Sequence, residues 1–139
     1  MVLSIRSFSV TEFGKIFGGI FMKGFYKENR KEAENKKIVI SKRFLNEQGN
    51  EICWEMKALS QKENEEILKK CRRMRSAGKD TEQYYETMVL AESVIFPDLN
   101  NIELQNSYKV VGKEALLLEL LTAGEYEALK EAVEEVNMI

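Results

Sequence analysis

The side chains of this chain that could take part in catalysis are carboxylates, hydroxyls and two thiols, because the sequence contains no histidine. Histidine is the commonest general base and the commonest zinc ligand, so its absence removes both of those groups. Two pairs of adjacent carboxylates, Glu65 with Glu66 and Glu134 with Glu135, remain as candidates for acid–base or metal chemistry. Adjacent helix positions point in different directions, so such pairs are typical of a solvated helix face.

Nucleophilic catalysis has equally little support in the sequence. Ser60 and Ser107 have no histidine to activate them, and no nucleophile-elbow motif is present. Cys53 and Cys71 are too far apart for a CxxC pair, so we interpret them as the reduced, buried or half-buried thiols of a cytosolic protein. We therefore predict that the protein is not an enzyme and uses no cofactor or metal ion.

A dense basic cluster lies near the end of a predicted helix. Its members are Lys69, Lys70, Arg72, Arg73 and Arg75. Basic stretches attract the phosphates of nucleic acids, so a small nucleic-acid-binding regulator using this cluster is the alternative function. A helix-turn-helix pair could be drawn over residues 101–121, but its second helix would offer only Lys113 to bases and phosphates. We therefore do not expect nucleic acid as a partner.

The charge of the chain is divided unevenly along its length. The formal net charge is −2, but residues 1–43 carry +6, residues 44–79 carry +2 and residues 80–139 carry −10. Opposite charges can attract within one molecule or between neighbouring molecules, and an acidic helical half can also be simply solvated. Head-to-tail self-association is therefore one expectation. The candidate residues for it are the basic cluster together with Glu131, Glu134 and Glu135.

A β-hairpin is predicted over residues 37–59. Apolar side chains occupy the even positions of residues 52–58, including Trp54, which is the period-2 pattern of a half-buried strand. Residues 46–50 supply the turn, with Gly49 at the position that needs a positive φ. An isolated hairpin is marginally stable in water, so its apolar face must pack on the helices that follow.

Four or five helices are predicted behind the hairpin. Two capping boxes, Ser60 with Glu63 and Thr122 with Glu125, begin the first and the last of these helices. Between them, a helix is expected from Asp80 to about Ile95, and it must end before the single proline, Pro97. A short helix over residues 100–108, capped by Asp98 or Asn100, and a Leu-rich helix over residues 113–121 complete the prediction.

These elements predict a mainly α (α+β) fold in which the hairpin and the helices share a single core. The predicted core contains Trp54, Ile67, Leu68, Met88, Ile95, Phe96, Leu104, Leu116, Leu120, Tyr126, Leu129 and Val133. No apolar stretch has the roughly 20 residues that a membrane helix needs, so no membrane association is expected. The composition, with 44% hydrophobic and 32% charged residues, is ordinary for one soluble domain.

Two apolar segments could contact a partner. Four phenylalanines recur every fourth residue near the start of the chain, and the Leu-rich helix is apolar on most sides. The phenylalanine stripe could dock on the domain, bind a partner or another copy, or be loose chain from outside the native gene product. The Leu-rich helix could lie in the core or against another subunit. The candidate partner-binding residues are Phe13, Phe17, Phe21, Phe25, Tyr26, Leu117 and Leu121.

An ordered set of short motifs resembles a known family. The motifs are Phe25-Tyr26-Lys27-Glu28-Asn29, Ser41-Lys42-Arg43-Phe44, Gly49-Asn50, Trp54-Glu55-Met56, Ile95-Phe96-Pro97, Glu103-Leu104-Gln105-Asn106-Ser107-Tyr108, Leu116-Leu117 and Gly124-Glu125-Tyr126. Their order and spacing resemble the XkdN-like tail assembly chaperones of contractile-tailed phages and phage-like elements. The resemblance covers residues 22–139 as a single domain, and residues 1–21 form an extension outside it, with Met22 as an alternative start.

The resemblance implies a small, non-enzymatic protein of the bacterial cytoplasm. Such a protein is expected to coat the tape-measure protein during tail assembly and to be absent from the finished virion. The expected partners are the tape-measure protein, the tail tube protein as a second candidate, and further copies of the same chain in a homo-oligomer.

Overall fold

The computed structural model describes residues 21–75 and 81–138. The chain forms two compact units, Met1–Glu32 and Ala33–Ile139. In the described part of the first unit, backbone amides of residues 24–26 each donate to the carbonyl three residues earlier, and a short 3₁₀ helix follows at Lys27–Asn29. The predicted contacts of Phe13 and Phe17 and the predicted cap Asp80 lie outside the described residues. The domain boundary at residue 22 stays a prediction.

The second unit contains three short strands and five helices among its described residues. The strands are β1 (Lys36–Ile38), β2 (Trp54–Met56) and β3 (Val94–Phe96). The helices are α1 (Gln61–Arg75), α2 (Thr81–Ser93), α3 (Ile102–Ser107), α4 (Lys113–Leu120) and α5 (Ala123–Asn137). This arrangement confirms the α+β fold class.

The predicted hairpin is the first part of a three-stranded antiparallel sheet of order β1-β2-β3. Trp54 and Met56 of the central strand face the core, as the alternating pattern predicts. The neighbouring Cys53 lies on the opposite face and is exposed, so the prediction of a buried or half-buried thiol is wrong for Cys53 and confirmed for the buried Cys71. Gly49 has a φ of 81° in the connecting turn. There the Asn46 side-chain oxygen accepts bonds from two backbone amides of the same turn, each at 2.9 Å. The predicted turn is therefore confirmed.

The third strand corrects the prediction for residues 94–96. The helix expected to reach about Ile95 ends at Ser93, and the chain continues as β3 beside β2. Ile95 and Phe96, both predicted to lie in the core, are 40% and 51% exposed. The strand alternates its side chains between two faces, so Val94 points into the core while Ile95 points away from it. Phe96 stays partly open because β3 is an edge strand.

Both predicted capping boxes are present. The Ser60 hydroxyl accepts from the Glu63 amide at 3.1 Å and the Glu63 carboxylate accepts from the Ser60 amide at 3.0 Å. Thr122 and Glu125 exchange the same two bonds at the start of α5. The cap of α3 was predicted wrongly, because Asn101 fills that position by accepting from the Leu104 amide.

The core consists of a main cluster and a smaller one, with half-buried Val89 packed against both. Helices α4 and α5 and strand β2 supply most of the main cluster. Buried residues of the predicted core are Trp54, Ile67, Met88, Leu116, Leu120, Leu129 and Val133. Leu68, Leu104 and Tyr126 are half-buried. Ile67, Cys71 and Met88 form the smaller cluster, which lies between α1 and α2. Val89 joins this smaller cluster to the main one.

Candidate protein-binding surface

The residues that could do chemistry are dispersed on the surface or buried. Within residues 21–75 and 81–138, no three Cys, Asp or Glu side chains are grouped so that they could hold a metal ion. Glu65, Glu66, Glu134 and Glu135 are exposed on helix faces. Burial raises the pKa of the Cys71 thiol, which makes it a poorer nucleophile. None of the helices in this described part is long and apolar enough to cross a membrane.

The Leu-rich helix α4 has one face inside the core and one face outside. Leu116 and Leu117 are 0% exposed. The prediction that Leu117 contacts a partner is wrong in this fold, because its side chain is enclosed by the core. Leu118 is 54% exposed and Leu121 is half-buried at the surface. The outward face of α4 therefore presents Leu118, which the sequence did not single out, and Leu121, which it did.

Two hollows lie on either side of Leu118. The first, of about 320 Å³, is bordered by Tyr84 and Thr87 of α2, by Leu118, and by Val111 before α4. The second, of about 430 Å³, is bordered by Leu118, Leu121 and Tyr126. Gln83 and Leu118 border both hollows, so the two are adjacent. We call this region the α2–α4 surface and define it by Tyr84, Val111, Leu118, Leu121 and Tyr126.

The α2–α4 surface combines exposed apolar side chains with glutamates. Val111 is 93% exposed, and Glu86, Glu114 and Glu127 stand at the edge of the two hollows. Lys130 pairs with Glu86 at 3.1 Å, and that carboxylate raises the pKa of Lys130. Burial also raises the pKa of Tyr84 and Tyr126 above its ordinary value. Such a surface suits an apolar segment flanked by basic residues.

The aromatic segment, defined as residues 21–26, lies in the first unit. Phe25 is 81% exposed, and Phe21, Met22 and Tyr26 are 48–57% exposed. Large apolar side chains exposed together in a short segment are typical of a contact surface. The role of Phe21, Phe25 and Tyr26 in partner binding stays a prediction.

The residues proposed for charge-mediated self-association lie mostly in solvent. Lys70, Arg72 and Arg73 are exposed, and Lys69 pairs with Glu66 on its own helix at 3.5 Å. The side chain of Arg75 lies outside the described residues. Glu131 and Glu134 are exposed on α5, whereas Glu135 forms an ion pair with Lys36. Some of the charge attraction between the basic front and the acidic back is therefore satisfied by ion pairs within one chain. The role of the remaining residues in self-association stays a prediction.

A second front-to-back contact joins Arg43 to the start of α5. The Arg43 guanidinium donates to both carboxylate oxygens of Glu125, at 2.5 and 3.2 Å, and to the Leu120 carbonyl oxygen at 2.8 Å. Bonds from Arg43, from Ser41 and from the Thr122 amide hold the pKa of Glu125 well below its usual range. Glu125 therefore fastens the segment after β1 to the α4–α5 junction while it caps α5.

This junction predicts a pH dependence of stability. The pKa of Glu125 is lower in the folded chain than the roughly 4.3 of an unfolded glutamate, so its contribution is complete above about pH 4.3. The contribution is lost as the pH falls from there towards the folded-state pKa. We expect Glu125→Gln to be less stable than the original chain at pH 7, and to lose less additional stability on acidification.

Urea unfolding at a series of pH values measures this effect. Glu131→Gln is the matched control, because Glu131 is an exposed glutamate of the same helix. Parallel pH curves for Glu125→Gln and the original chain would contradict the prediction. Glu63 adds to the acid sensitivity of both chains, since bonds from the Ser60 amide and Lys57 also lower its pKa.

The fold and its surfaces define a small α+β domain that exposes apolar hollows, a class suited to binding other polypeptides. The sequence profile described as "Phage XkdN-like tail assembly chaperone protein, TAC" matches residues 22–138. This chain therefore belongs to the XkdN-like phage tail assembly chaperone family, which confirms the resemblance seen in its motifs.

Two known proteins are similar to this chain. The phage-like element PBSX protein XkdN of Bacillus subtilis (strain 168) is 28% identical over 100 residues, which are 67% of each chain. The crystal structure of the protein YqbN superimposes with a TM-score of 0.72 at 23% identity, and the match covers 84% of this chain and 94% of that chain. The second similarity shows that the two chains share a fold.

Proposed function

We propose that this tail assembly chaperone binds the tape-measure protein, and that the α2–α4 surface provides the contact. The observation that supports the proposal is the group of exposed apolar side chains around Leu118, combined with glutamates. Burying apolar area contributes about 25 cal/mol per Å² without demanding one partner sequence. A chaperone that contacts many positions along a long client needs that tolerance.

The proposal includes a non-enzymatic role in the host cytoplasm during assembly and absence from the mature virion. Membership of the family supports it, and the dispersed carboxylates and lack of histidine agree with binding without catalysis. The tail tube protein is the second candidate partner. Nucleic-acid binding through the basic cluster has no support beyond the exposure of those side chains, so the chaperone function is favoured.

Co-expression with the tape-measure protein from the same genome tests the proposal. We expect the two proteins to co-purify and the client to stay soluble. Leu118→Glu places a charge among these apolar side chains and should reduce the recovered client by roughly tenfold or more. Leu45→Glu is the matched control, because Leu45 is also 54% exposed but does not border the α2–α4 surface.

Two results would contradict the proposal. The first is a client that neither co-purifies with the original chain nor gains solubility from it. The second is equal client recovery with Leu118→Glu and with Leu45→Glu, which would place the contact elsewhere on the chaperone. Circular dichroism of both variants separates a loss of binding from a loss of folding.

A further inference from the structure

A second apolar groove lies beside the sheet. It has a volume of about 180 Å³, and its walls include Phe44, Trp54, Phe96, Leu104 and Tyr108. We call it the aromatic groove. Trp54 is 2% exposed and forms part of the groove's inner wall, whereas Phe96 on the edge strand is 51% exposed and stands at its opening. The groove is thus an open apolar site, separate from the α2–α4 surface.

The size of the groove suits one aromatic side chain. An apolar protein cavity of about 150 Å³ is large enough to accept benzene. Ring-to-ring contacts add roughly 0.5–1.5 kcal/mol beyond the burial of apolar area, and the groove already presents the rings of Phe44, Trp54 and Tyr108. An occupant with an exposed phenylalanine would therefore gain from entering it.

The chain itself carries such a phenylalanine in its aromatic segment. Phe25 is 81% exposed, and Met22 and Tyr26 beside it are 57% and 49% exposed. Repeated i to i+3 backbone bonds shape residues 21–26 into compact turns, so Phe25 projects from an ordered support. The same molecule therefore offers both an exposed aromatic side chain and an open aromatic groove.

The charges around the two sites are complementary. Lys23 and Lys27 flank Phe25 and are exposed. Next to groove residues in the chain stand four exposed acids and two exposed bases. They are Glu51, Asp98, Glu103 and Glu119, and Arg43 and Lys109. Arg43 stacks over Phe44 at 5.2 Å, but its charge is balanced by Glu125. The chain segments that line the groove are therefore net acidic, which is complementary to a basic aromatic segment.

We infer that the aromatic groove of one copy receives Phe25 from the aromatic segment of a second copy. Each chain has one donor segment and one acceptor groove, and the two surfaces are different. A contact of this head-to-tail kind does not close on itself unless the rotation happens to form a ring, so it extends into a row of molecules. This inference concerns self-association and does not depend on tape-measure binding.

Mixing two variants of the full chain tests the inference. The donor variant Phe25→Glu keeps the groove, and the acceptor variant Glu51→Lys/Glu103→Lys keeps the aromatic segment. At low salt we expect the original chain to gain mass with concentration. Each variant alone should associate at least about tenfold more weakly, because one of its two contact surfaces is altered. An equimolar mixture should form a 1:1 dimer and stop there, as measured by sedimentation velocity.

The single tryptophan gives a second readout. Trp54 borders the groove, so its fluorescence should change as the original chain associates and should not change with concentration in Phe25→Glu. Adding Lys23→Glu/Lys27→Glu to the acceptor variant reverses the charges of both the segment and the groove in one chain. This variant should associate again. Leu118→Glu should leave self-association intact, which separates failure of this inference from failure of the tape-measure proposal.

Three outcomes would overturn the inference. One is an original chain that stays monomeric at low salt and high concentration. A chain whose aromatic segment docks in its own groove would give the same result and would also contradict the inference. Another is association of Phe25→Glu as strong as that of the original chain. The last is a mixture of the folded donor and acceptor variants that contains only monomers.

Discussion

Replacing Leu117 with alanine should lower the free energy of unfolding by about 2–5 kcal/mol, the range measured when a buried leucine is truncated. Leu117 is 0% exposed and lies in the main core cluster. The truncation removes apolar contacts and leaves a cavity that the surrounding helices can fill only in part. The free energy of unfolding of an ordinary domain is about 5–15 kcal/mol, so the loss is a large share of the total.

Leu118→Ala is the matched control on the same helix. Its side chain is 54% exposed, so we expect a change within about 0.5 kcal/mol. Urea unfolding followed by circular dichroism gives both values. If Leu118→Ala proved as destabilising as Leu117→Ala, the orientation of α4 described above would be wrong. Client recovery should show the opposite order. When equal amounts of folded protein are compared, Leu118→Ala should recover less client than Leu117→Ala.

This pair of leucines shows where the sequence stops being informative. Residues 116–121 contain five apolar side chains in six positions, so their periodicity does not reveal which side faces the core. Packing against α2 and in the main core cluster decides it, and that packing depends on residues far away in the chain. The sequence could therefore predict an apolar helix with contact potential, but it could not separate Leu117 from its neighbour.

Local interactions were predicted much better. The boxes at Ser60 with Glu63 and at Thr122 with Glu125 are completed within four residues, so no distant contact is needed to form them. The turn with Gly49 is equally local, since its bonds join residues of the same loop. These features follow from side-chain chemistry at fixed short spacing, which is visible in a sequence.

The third strand was missed for the opposite reason. Residues 94–96 continue the apolar pattern of the preceding helix, and only pairing with β2 makes them a strand. Pairing across about 40 residues of chain is a tertiary effect that propensity does not report. The aromatic groove shares this origin, because its walls come from segments that are distant in the chain: the loop before β2, the strands β2 and β3, and the helices α3 and α4.

The central strand also carries the second large expected effect. Trp54→Ala should lower the free energy of unfolding by about 3–5 kcal/mol, since Trp54 is 2% exposed in the main core. Strand β2 has a neighbour on both sides, so a cavity behind Trp54 weakens the support of β1 and β3 together. Cys53→Ala is the control, because the exposed Cys53 lies next in the chain on the opposite face.

The comparison uses thermal and urea unfolding followed by circular dichroism, which does not need the tryptophan signal. Cys53→Ala should change stability by no more than about 0.5 kcal/mol. A Trp54→Ala variant as stable as the control would mean that the sheet is held by contacts other than its buried face. Trp54 also borders the aromatic groove. A Trp54→Ala chain that is still folded, as shown by a cooperative unfolding transition, should therefore lose self-association. That combination would tie the groove to the same side chain that stabilises the sheet.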